Sequence, residues 1–132
     1  MRVISGSARG TKLLAPKTGT RPTSDRAKES IFNIIAERVP DSNILDIFAG
    51  SGAIGIEALS RRARHAVFID NSKEAIKVIK QNLEKTRLSD RATILDDILK
   101  IGRTEFAPTM VVRLSGQICT CGLLYYYKPC RT

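Results

Sequence analysis

A glycine-rich segment follows a short apolar run, and together they read Ile44-Leu45-Asp46-Ile47-Phe48-Ala49-Gly50-Ser51-Gly52-Ala53-Ile54-Gly55. Three glycines of this segment match the pattern G-x-G-x-x-G, namely Gly50, Gly52 and Gly55. The run before them has the composition of a buried strand, and the residues after them have that of a helix. Because glycine permits a tight turn and a close approach of the backbone to a ligand, the pattern predicts a strand, a ligand-binding loop and a helix in succession.

The regions around this segment alternate between predicted helices and strands. Periodicity and capping residues predict a helix over 25–38, a strand over 44–48, a helix over 53–62, a strand over 66–70, a helix over 73–87, a strand over 92–95 and a short helix over 97–102. This alternation is typical of an α/β protein whose parallel sheet is covered by helices. Right-handed crossovers then bring the carboxyl ends of the three strands to one sheet edge, where such folds bind ligands.

Acidic residues stand at the ends of the second and third predicted strands. Asp70 lies 20 residues after Gly50, where a carboxylate can accept hydrogen bonds from both hydroxyls of a ribose. Asp96 and Asp97 end the third strand. Either of them can accept a hydrogen bond from the amino group of an adenine, or can cap the helix that follows.

Asp46 distinguishes between two classes of nucleotide cofactor. It lies inside the first strand, four residues before Gly50, where a dinucleotide-binding fold normally has an apolar residue. A carboxylate there would repel a pyrophosphate and attract a cation, and S-adenosylmethionine carries both an ammonium and a sulfonium. The position therefore favours the methyl donor over NAD. The alternative is that Asp46 only stabilises a local turn and the glycines only form a bend.

The net charge of +9 is unevenly distributed along the 132 residues. Residues 1–40 contain eight Lys or Arg against three Asp or Glu, whereas residues 41–100 contain ten against nine. Residues 101–132 contain four against one. Basic ends around a nearly neutral centre indicate a polyanionic partner, and solubility alone is the alternative explanation.

Other features of the sequence narrow the class of protein. No apolar run is long enough to cross a bilayer and no signal peptide is evident, so a cytoplasmic location without membrane contact is expected. Cys119, Cys121 and Cys130 have no histidine near them, so free thiols rather than a metal site are expected. Phe32 and Phe48 are expected in the core.

Several short segments form a distinctive set: Met1-Arg2-Val3-Ile4-Ser5-Gly6, Arg9-Gly10, Leu13-Leu14-Ala15-Pro16, Arg21-Pro22-Thr23-Ser24-Asp25-Arg26, Glu29-Ser30-Ile31-Phe32-Asn33 and Leu45-Asp46-Ile47-Phe48-Ala49-Gly50-Ser51-Gly52. From residue 1 to about residue 100 this set resembles the RsmD-type family. These are bacterial small-subunit ribosomal RNA methyltransferases that act on the exocyclic amino group of a guanine. The resemblance implies a Rossmann-like, S-adenosylmethionine-dependent methyltransferase fold with an N-terminal extension.

The resemblance also implies roles for individual residues. Those expected to line the methyl-donor pocket are Asp46, Ala49, Gly50, Ser51, Gly52, Asp70 and, at the end of the third strand, Asp97 or Asp96. Those expected to contact the RNA are Arg9, Lys12, Arg21 and Arg26. The implied partner is small-subunit ribosomal RNA, free or within a pre-assembled subunit.

The end of the chain departs from the family. The family's fourth strand ends in an Asp/Asn-Pro-Pro-Tyr/Phe motif that holds the target amino group and stacks on the flipped base. The only prolines after residue 100 are Pro108 and Pro129, so the motif is absent and no catalytic residue is assigned. The expected organisation is a basic extension with a hairpin and a helix (1–40), a cofactor-binding half (41–102) and an atypical tail (103–132). The tail is interpreted as an altered end of a longer parent, without sequence for the later strands of the fold. Met110-Val111-Val112 could form a fourth strand by itself, but an ordinary tail or a packed edge is expected. Either partial disorder after residue 102 or self-association through an open sheet edge is expected with it.

Three functions remain open on the sequence alone. The first is an RNA methyltransferase, whose activity in this chain is in question because the motif is absent. The second is a non-catalytic module that binds S-adenosylmethionine or RNA. The third, an NAD-dependent enzyme, is disfavoured by Asp46 and by the Arg21-Pro22-Thr23 segment. An open edge of the shortened sheet would additionally favour self-association.

Overall fold

The computed structural model describes residues 1–18, 23–113 and 118–120. Within these residues, five strands form one sheet in the order β3-β2-β1-β4-β5. The strands are β1 (Asn43–Ile47), β2 (His65–Ile69), β3 (Ala92–Leu95), β4 (Met110–Arg113) and β5 (Ile118–Thr120). The α-helices are α1 (Asp25–Ile35), α2 (Ala53–Ser60) and α3 (Lys73–Thr86), and short 3-10 helices span Ala36–Arg38, Ser89–Arg91 and Ile98–Arg103.

The connections between strands create the place where a ligand can enter. Strands β1 to β4 run parallel, and β5 pairs with β4 antiparallel. From β1 the chain moves outward through α2 to β2 and through α3 to β3, and β4 then pairs on the opposite side of β1. The strand order therefore reverses beside β1. In open α/β sheets, a crevice for ligands forms at the carboxyl ends of the strands at such a reversal. The predicted α/β fold with a parallel sheet is confirmed.

The helix boundaries follow from capping groups in the sequence. The Ser24 hydroxyl accepts a hydrogen bond from the Ala27 N–H at 3.1 Å and starts α1. The Ser72 hydroxyl does the same for the Ala75 N–H at 3.3 Å and starts α3. Side-chain oxygens at these positions satisfy N–H groups that have no partner within the helix. The predicted helix over 25–38 is confirmed, with its last turn tightened to a 3-10 helix.

The N-terminal segment packs against α2. The Val3 N–H donates to the Thr11 carbonyl and the Leu13 N–H donates to the Met1 carbonyl, both at 3.0 Å, which is the predicted hairpin in short form. Every residue of α2 except Ile54 is buried. A helix that is buried on all sides needs cover on the face away from the sheet. The hairpin segment provides that cover.

A buried carboxylate fixes this cover in place. Glu57 of α2 is inaccessible to solvent and accepts hydrogen bonds from the backbone N–H groups of Ile4 and Ser5 at 2.9 and 3.0 Å. Lys28 and Arg61 neutralise its charge, with N···O distances of 3.4 and 2.8 Å. Burying an unpaired charge is very costly, so each member of this cluster depends on the others. The extension is therefore attached to α2 by a charged network as well as by apolar contact.

The sheet continues beyond its third strand, which corrects the expectation that the tail supplies no later strand. Val111 and Val112 of β4 lie opposite Leu45 and Asp46 of β1 in a parallel register. A run of three apolar residues, Met110-Val111-Val112, is too short for its sequence alone to distinguish a strand from a packed turn. Cys121, Cys130 and the rest of 121–132 lie outside the described residues. Disorder of the tail and self-association through a sheet edge stay predictions.

Candidate functional site

The glycine loop that follows β1 has an unusual backbone. Phe48, Gly50 and Gly52 have φ angles of 59°, 58° and 77°, all in the left-handed region. Glycine adopts this region without strain, so residue type explains the left-handed backbone at Gly50 and Gly52 but not at Phe48. The loop is held by hydrogen bonds from the Ala49 N–H to the Ile69 carbonyl at 3.0 Å and from the Gly52 N–H to the Ala49 carbonyl at 2.8 Å. Gly52 ends the loop as the N-cap of α2.

The third glycine of the pattern serves packing. A Cβ atom at Gly55 would lie 2.3 Å from Cε1 of Phe68 in β2, far inside van der Waals contact. Gly55 therefore lets α2 approach the sheet closely. The same residue donates its backbone N–H to Asp46 at 3.2 Å.

Asp46 is a buried carboxyl group at the strand-order reversal. It is 2% exposed, and the Gly55 N–H is its only hydrogen-bond donor among the described residues. Burial raises the pKa of Asp46 to about 7, the Gly55 hydrogen bond opposes that rise, and the nearby Asp70 charge adds to it. A carboxylate that has lost its water and kept one hydrogen bond is stabilised by a cation placed beside it. Asp46 therefore suits a positively charged ligand group.

Asp70 connects the glycine loop to the start of α3. Its Oδ2 accepts the Gly50 N–H and its Oδ1 accepts the Ser72 N–H, both at 2.9 Å. Each carboxylate oxygen can accept a second hydrogen bond, so the group keeps capacity for two hydroxyl donors. The structure brings Asp46, the glycine loop and Asp70 together at one edge.

Asp96 and Asp97 lie at the same edge but are exposed. Asp96 forms an ion pair with Lys100, and that hydrogen bond lowers the pKa of the Asp96 carboxyl group. Asp97 accepts the Leu99 N–H at 2.9 Å and caps the 3-10 helix. Helix capping was one of the two roles that the sequence left open for Asp97. Two strand spacings, roughly 10 Å, separate the β3 end from the β1 end.

Asn82 is a residue of this site that the sequence analysis missed. Its side chain is inaccessible to solvent, and its Nδ2 donates to the carbonyl oxygens of Ser51 and Leu14, both at 2.9 Å. Its Oδ1 accepts the Leu14 N–H at 2.8 Å. The available signal was a polar residue between Ile79 and Leu83 on the apolar face of α3.

The predicted RNA-contacting residues have different outcomes. Arg9, Lys12 and Arg26 lie at the surface, where a large partner can reach them. Arg21 lies outside the described residues.

The prediction that Phe32 is a core residue is confirmed, but the same prediction for Phe48 is wrong because 55% of its surface is exposed. The left-handed backbone at Phe48 turns its side chain out of the sheet pattern, which apolar composition cannot reveal.

Comparison with known proteins identifies relatives along most of the chain. The family described as "Conserved hypothetical protein 95" matches residues 1–109. The Bacillus subtilis protein YlbH is 50% identical over 95 residues, covering 71% of this chain and 52% of that protein. Ribosomal RNA small subunit methyltransferase D of Escherichia coli K12 is 35% identical over 113 residues, covering 85% of this chain and 57% of that protein. The chain thus spans about half the length of the curated relatives that it matches.

Solved structures show the same fold. Escherichia coli yhhF superposes with a TM-score of 0.72 at 33% identity, covering 84% of this chain and 61% of that one. A hypothetical protein of Thermus thermophilus superposes with a TM-score of 0.73 at 29% identity, covering 86% and 67%. Within the part of the chain that the structure describes, no helix is both long enough and apolar enough to cross a membrane.

Proposed function

The chain belongs to the RsmD-type family, the one described as conserved hypothetical protein 95, and from that premise we propose that it binds S-adenosylmethionine for methylation of small-subunit ribosomal RNA. The observation that carries this proposal is the buried Asp46 carboxyl group at the strand-order reversal, beside a glycine loop. Curated relatives at 42% and 35% identity are named ribosomal RNA small subunit methyltransferase D, which supports the same substrate class.

The residues of the site fit the methyl donor in a definite order along the sheet edge. At the end of β1, Asp46 faces the cationic amino-acid part, and the glycine loop allows close backbone approach. At the end of β2, Asp70 accepts hydrogen bonds from the ribose hydroxyls. At the end of β3, Asp97 or Asp96 receives the amino group of the adenine. The donor, when bound, supplies a methyl group on a sulfonium, and this chain's own residues bind and orient it.

The finer assignment is the exocyclic amino group of a guanine as the acceptor. It rests on the family resemblance of the segments between residues 1 and 52. The basic side chains of Arg9, Lys12 and Arg26 would contact phosphates of the same RNA, and Arg21 is proposed with them from its sequence position.

A second candidate function is a non-catalytic module that binds S-adenosylmethionine or RNA. The observation that favours it is that the residues which the fold brings together, Asp46, the glycine loop and Asp70, account for holding the donor. Turnover also requires a group that holds a flipped guanine against the methyl carbon, and none of these residues is assigned that role.

Calorimetry with S-adenosylmethionine tests donor binding, and Asp46→Asn is the informative variant. We expect binding by the wild type and a loss of at least about tenfold in the variant, because a hydrogen bond to a charged group contributes about 1.5–3 kcal/mol. Asp41→Asn is the control, since Asp41 is exposed and lies before β1. Binding of NAD without binding of S-adenosylmethionine would refute the proposal. A tritiated-methyl assay on unmethylated small-subunit RNA then separates the enzyme from the non-catalytic module.

A further inference from the structure

A cleft lies at the opposite end of α2 from the glycine loop. Its volume is about 510 Å³, and its lining includes Ser5, Gly6 and Ser7 of the extension together with Arg61, Arg62 and Arg91. Because α2 has eight residues, roughly 12 Å separate this cleft from the loop. The volume lies within the range of about 300–1,000 Å³ that is usual for ligand sites. Of the described residues expected from the sequence to bind donor or RNA, none lines it.

The charge of the cleft is strongly positive. Three arginines line it, and the described part of the chain places no acidic side chain in its lining. Glu57 contacts Arg61 at 2.8 Å and Lys28 at 3.4 Å, and Lys28 also lies 3.9 Å from Asp25. Glu57 therefore partly neutralises Arg61, whereas Arg62 and Arg91 form no ion pair within the described residues. The partial negative charge at the carboxyl end of α2 amounts to only about half a unit.

Two of the arginines are held in fixed positions. Arg91 donates from Nη1 to the Ala63 carbonyl at 2.7 Å and from Nη2 to the Leu59 carbonyl at 3.1 Å. Arg61 donates from Nε to Glu57, and its guanidinium carbon lies 4.8 Å from the centre of the Phe32 ring. Each terminal nitrogen of a guanidinium carries two hydrogens, so donors remain on both side chains. Preorganised guanidinium groups lose little entropy when they bind an anion.

Arg62 supplies the third positive charge of the cleft. It is exposed at the cleft and has a left-handed backbone, with φ at 76°. Its backbone carbonyl accepts the Asp41 N–H at 2.9 Å, which fixes the turn without using the side chain. Its side chain makes no hydrogen bond or ion pair within residues 1–18, 23–113 and 118–120. Arg62 is therefore the residue whose replacement removes charge from the cleft with little structural cost.

We propose that this cleft binds backbone phosphates of the RNA, at a place separate from the methyl-donor edge. The proposal rests on the proposed function, since it takes RNA as the partner. Guanidinium groups bind phosphate oxygens through paired N–H donors, and serine hydroxyls are among the groups that accompany them. The same hairpin carries the exposed Arg9 two residues after Ser7 of the cleft lining.

The test measures RNA affinity at several salt concentrations. The full 132-residue chain is titrated into a fluorescein-labelled, single-stranded RNA of about 20 nucleotides, and fluorescence anisotropy is read. For Arg62→Gln we expect about a three- to tenfold loss of affinity and a salt slope smaller by about 0.7, the value for one phosphate contact to a single strand. Arg62→Lys, which keeps the charge, should retain most of the affinity.

Arg87→Gln is the matched control. Arg87 is also an exposed arginine with a left-handed backbone, with φ at 60°, but it ends α3 and does not line the cleft. We expect its replacement to leave RNA affinity within about twofold of the wild type. Equal losses in Arg62→Gln and Arg87→Gln would overturn the proposal, because they would indicate a diffuse charge effect. Unchanged affinity in Arg62→Gln would overturn it as well.

Two further measurements distinguish a site for free phosphate from a site for RNA, and the proposal for the cleft from the proposed function. Inorganic phosphate is titrated at constant ionic strength. Phosphate binding that depends on Arg62, with RNA affinity independent of Arg62, would indicate a free-anion site and reject the RNA proposal. Calorimetry with S-adenosylmethionine is run on the same proteins. If the protein binds S-adenosylmethionine and Arg62→Gln does not change RNA affinity, only the proposal for the cleft is rejected. If the protein does not bind S-adenosylmethionine, the proposed function is rejected, and the comparison of RNA affinities still tests the cleft.

Discussion

The side-chain amide of Asn82 donates to the carbonyl oxygen of Ser51 at 2.9 Å, and thereby attaches the glycine loop to α3. The same amide group exchanges two hydrogen bonds with the backbone of Leu14, at 2.8 and 2.9 Å. One buried side chain thus holds the loop and the N-terminal extension in a fixed relation. Ser51 and Leu14 are not hydrogen-bonded to each other in the described structure, and the loop has a second, longer contact with the extension, from the Ser51 hydroxyl to the Met1 sulfur at 3.8 Å.

Replacing Asn82 by alanine should weaken both folding and donor binding. The change leaves three backbone groups without their partner, and an unsatisfied buried polar group costs about 1–3 kcal/mol. We expect a loss of about 3 kcal/mol in the free energy of unfolding and a loss of at least about tenfold in affinity for S-adenosylmethionine. Urea denaturation and calorimetry measure the two effects.

Thr86→Val is the control for the Asn82 variant. Thr86 is buried on the same helix, but its hydroxyl donates only to the carbonyls of Asn82 and Leu83 within α3. It should lower stability without changing the donor affinity of the folded protein. If Asn82→Ala binds the donor as tightly as Thr86→Val does, Asn82 does not position the loop.

Donor affinity should depend on pH through Asp46. Its pKa in the folded protein is about 7, and a cation is attracted by the ionised form only. Affinity should therefore rise between about pH 6 and pH 8 and then level off. The Asp46→Asn variant should give a flat profile over that range. A rise of equal size in the variant would assign the pH dependence to another group.

The same pKa predicts how stability changes with pH. The unfolded carboxyl group ionises near 3.8, whereas the folded one keeps its proton up to about 7. The stability that Asp46 contributes is complete below 3.8 and is lost as the pH rises toward 7. Asp46→Asn should thus be more stable than the wild type at about pH 8, by up to about 4 kcal/mol, and the difference should vanish near about pH 4. Urea midpoints across this range check the sign.

Gly55→Ala should destabilise the protein even though alanine favours helices. Alanine gains about 1 kcal/mol over glycine inside a helix, but its Cβ would lie 2.3 Å from the Phe68 ring. Overpacking of this kind costs about 1–3 kcal/mol or more, so we expect a net loss of about 2 kcal/mol. Adding Phe68→Leu should recover part of it. Additive losses in the double variant would show that the two side chains do not conflict.

Glu57→Gln should release the N-terminal extension. The change leaves Lys28 buried beside a neutral amide, and breaking a buried ion pair costs about 3–5 kcal/mol. Limited proteolysis should then cut the hairpin segment of the extension faster than in the wild type. Glu84→Gln is the control, because Glu84 is exposed on α3. Equal cleavage rates in the two variants would contradict this role of Glu57.

Much of the candidate donor site could be predicted because its signals are local. The placement of Asp46 and Gly50 follows from a strand and a turn that are contiguous in sequence, and Asp70 follows from a fixed spacing to the next strand. Asn82 could not be predicted, because its partners are backbone groups of Ser51 and Leu14, 31 and 68 residues away. The arginine cleft combines residues of separate regions, and no single stretch of sequence contains its pattern.

The hydrogen bonds of the extension bear on how the protein forms during synthesis. Ile4 is held by Glu57 across 53 residues, and Leu14 by Asn82 across 68. These two contacts therefore cannot form until residues 57 and 82 have been translated, although the hydrogen bonds within the hairpin need only residues 1–13. At about 5–20 residues per second, that delay lasts several seconds. Throughout this interval, the basic nascent extension lacks these contacts with α2 and α3 while it is attached to the ribosome, whose RNA is the polyanion on which the finished protein is proposed to act.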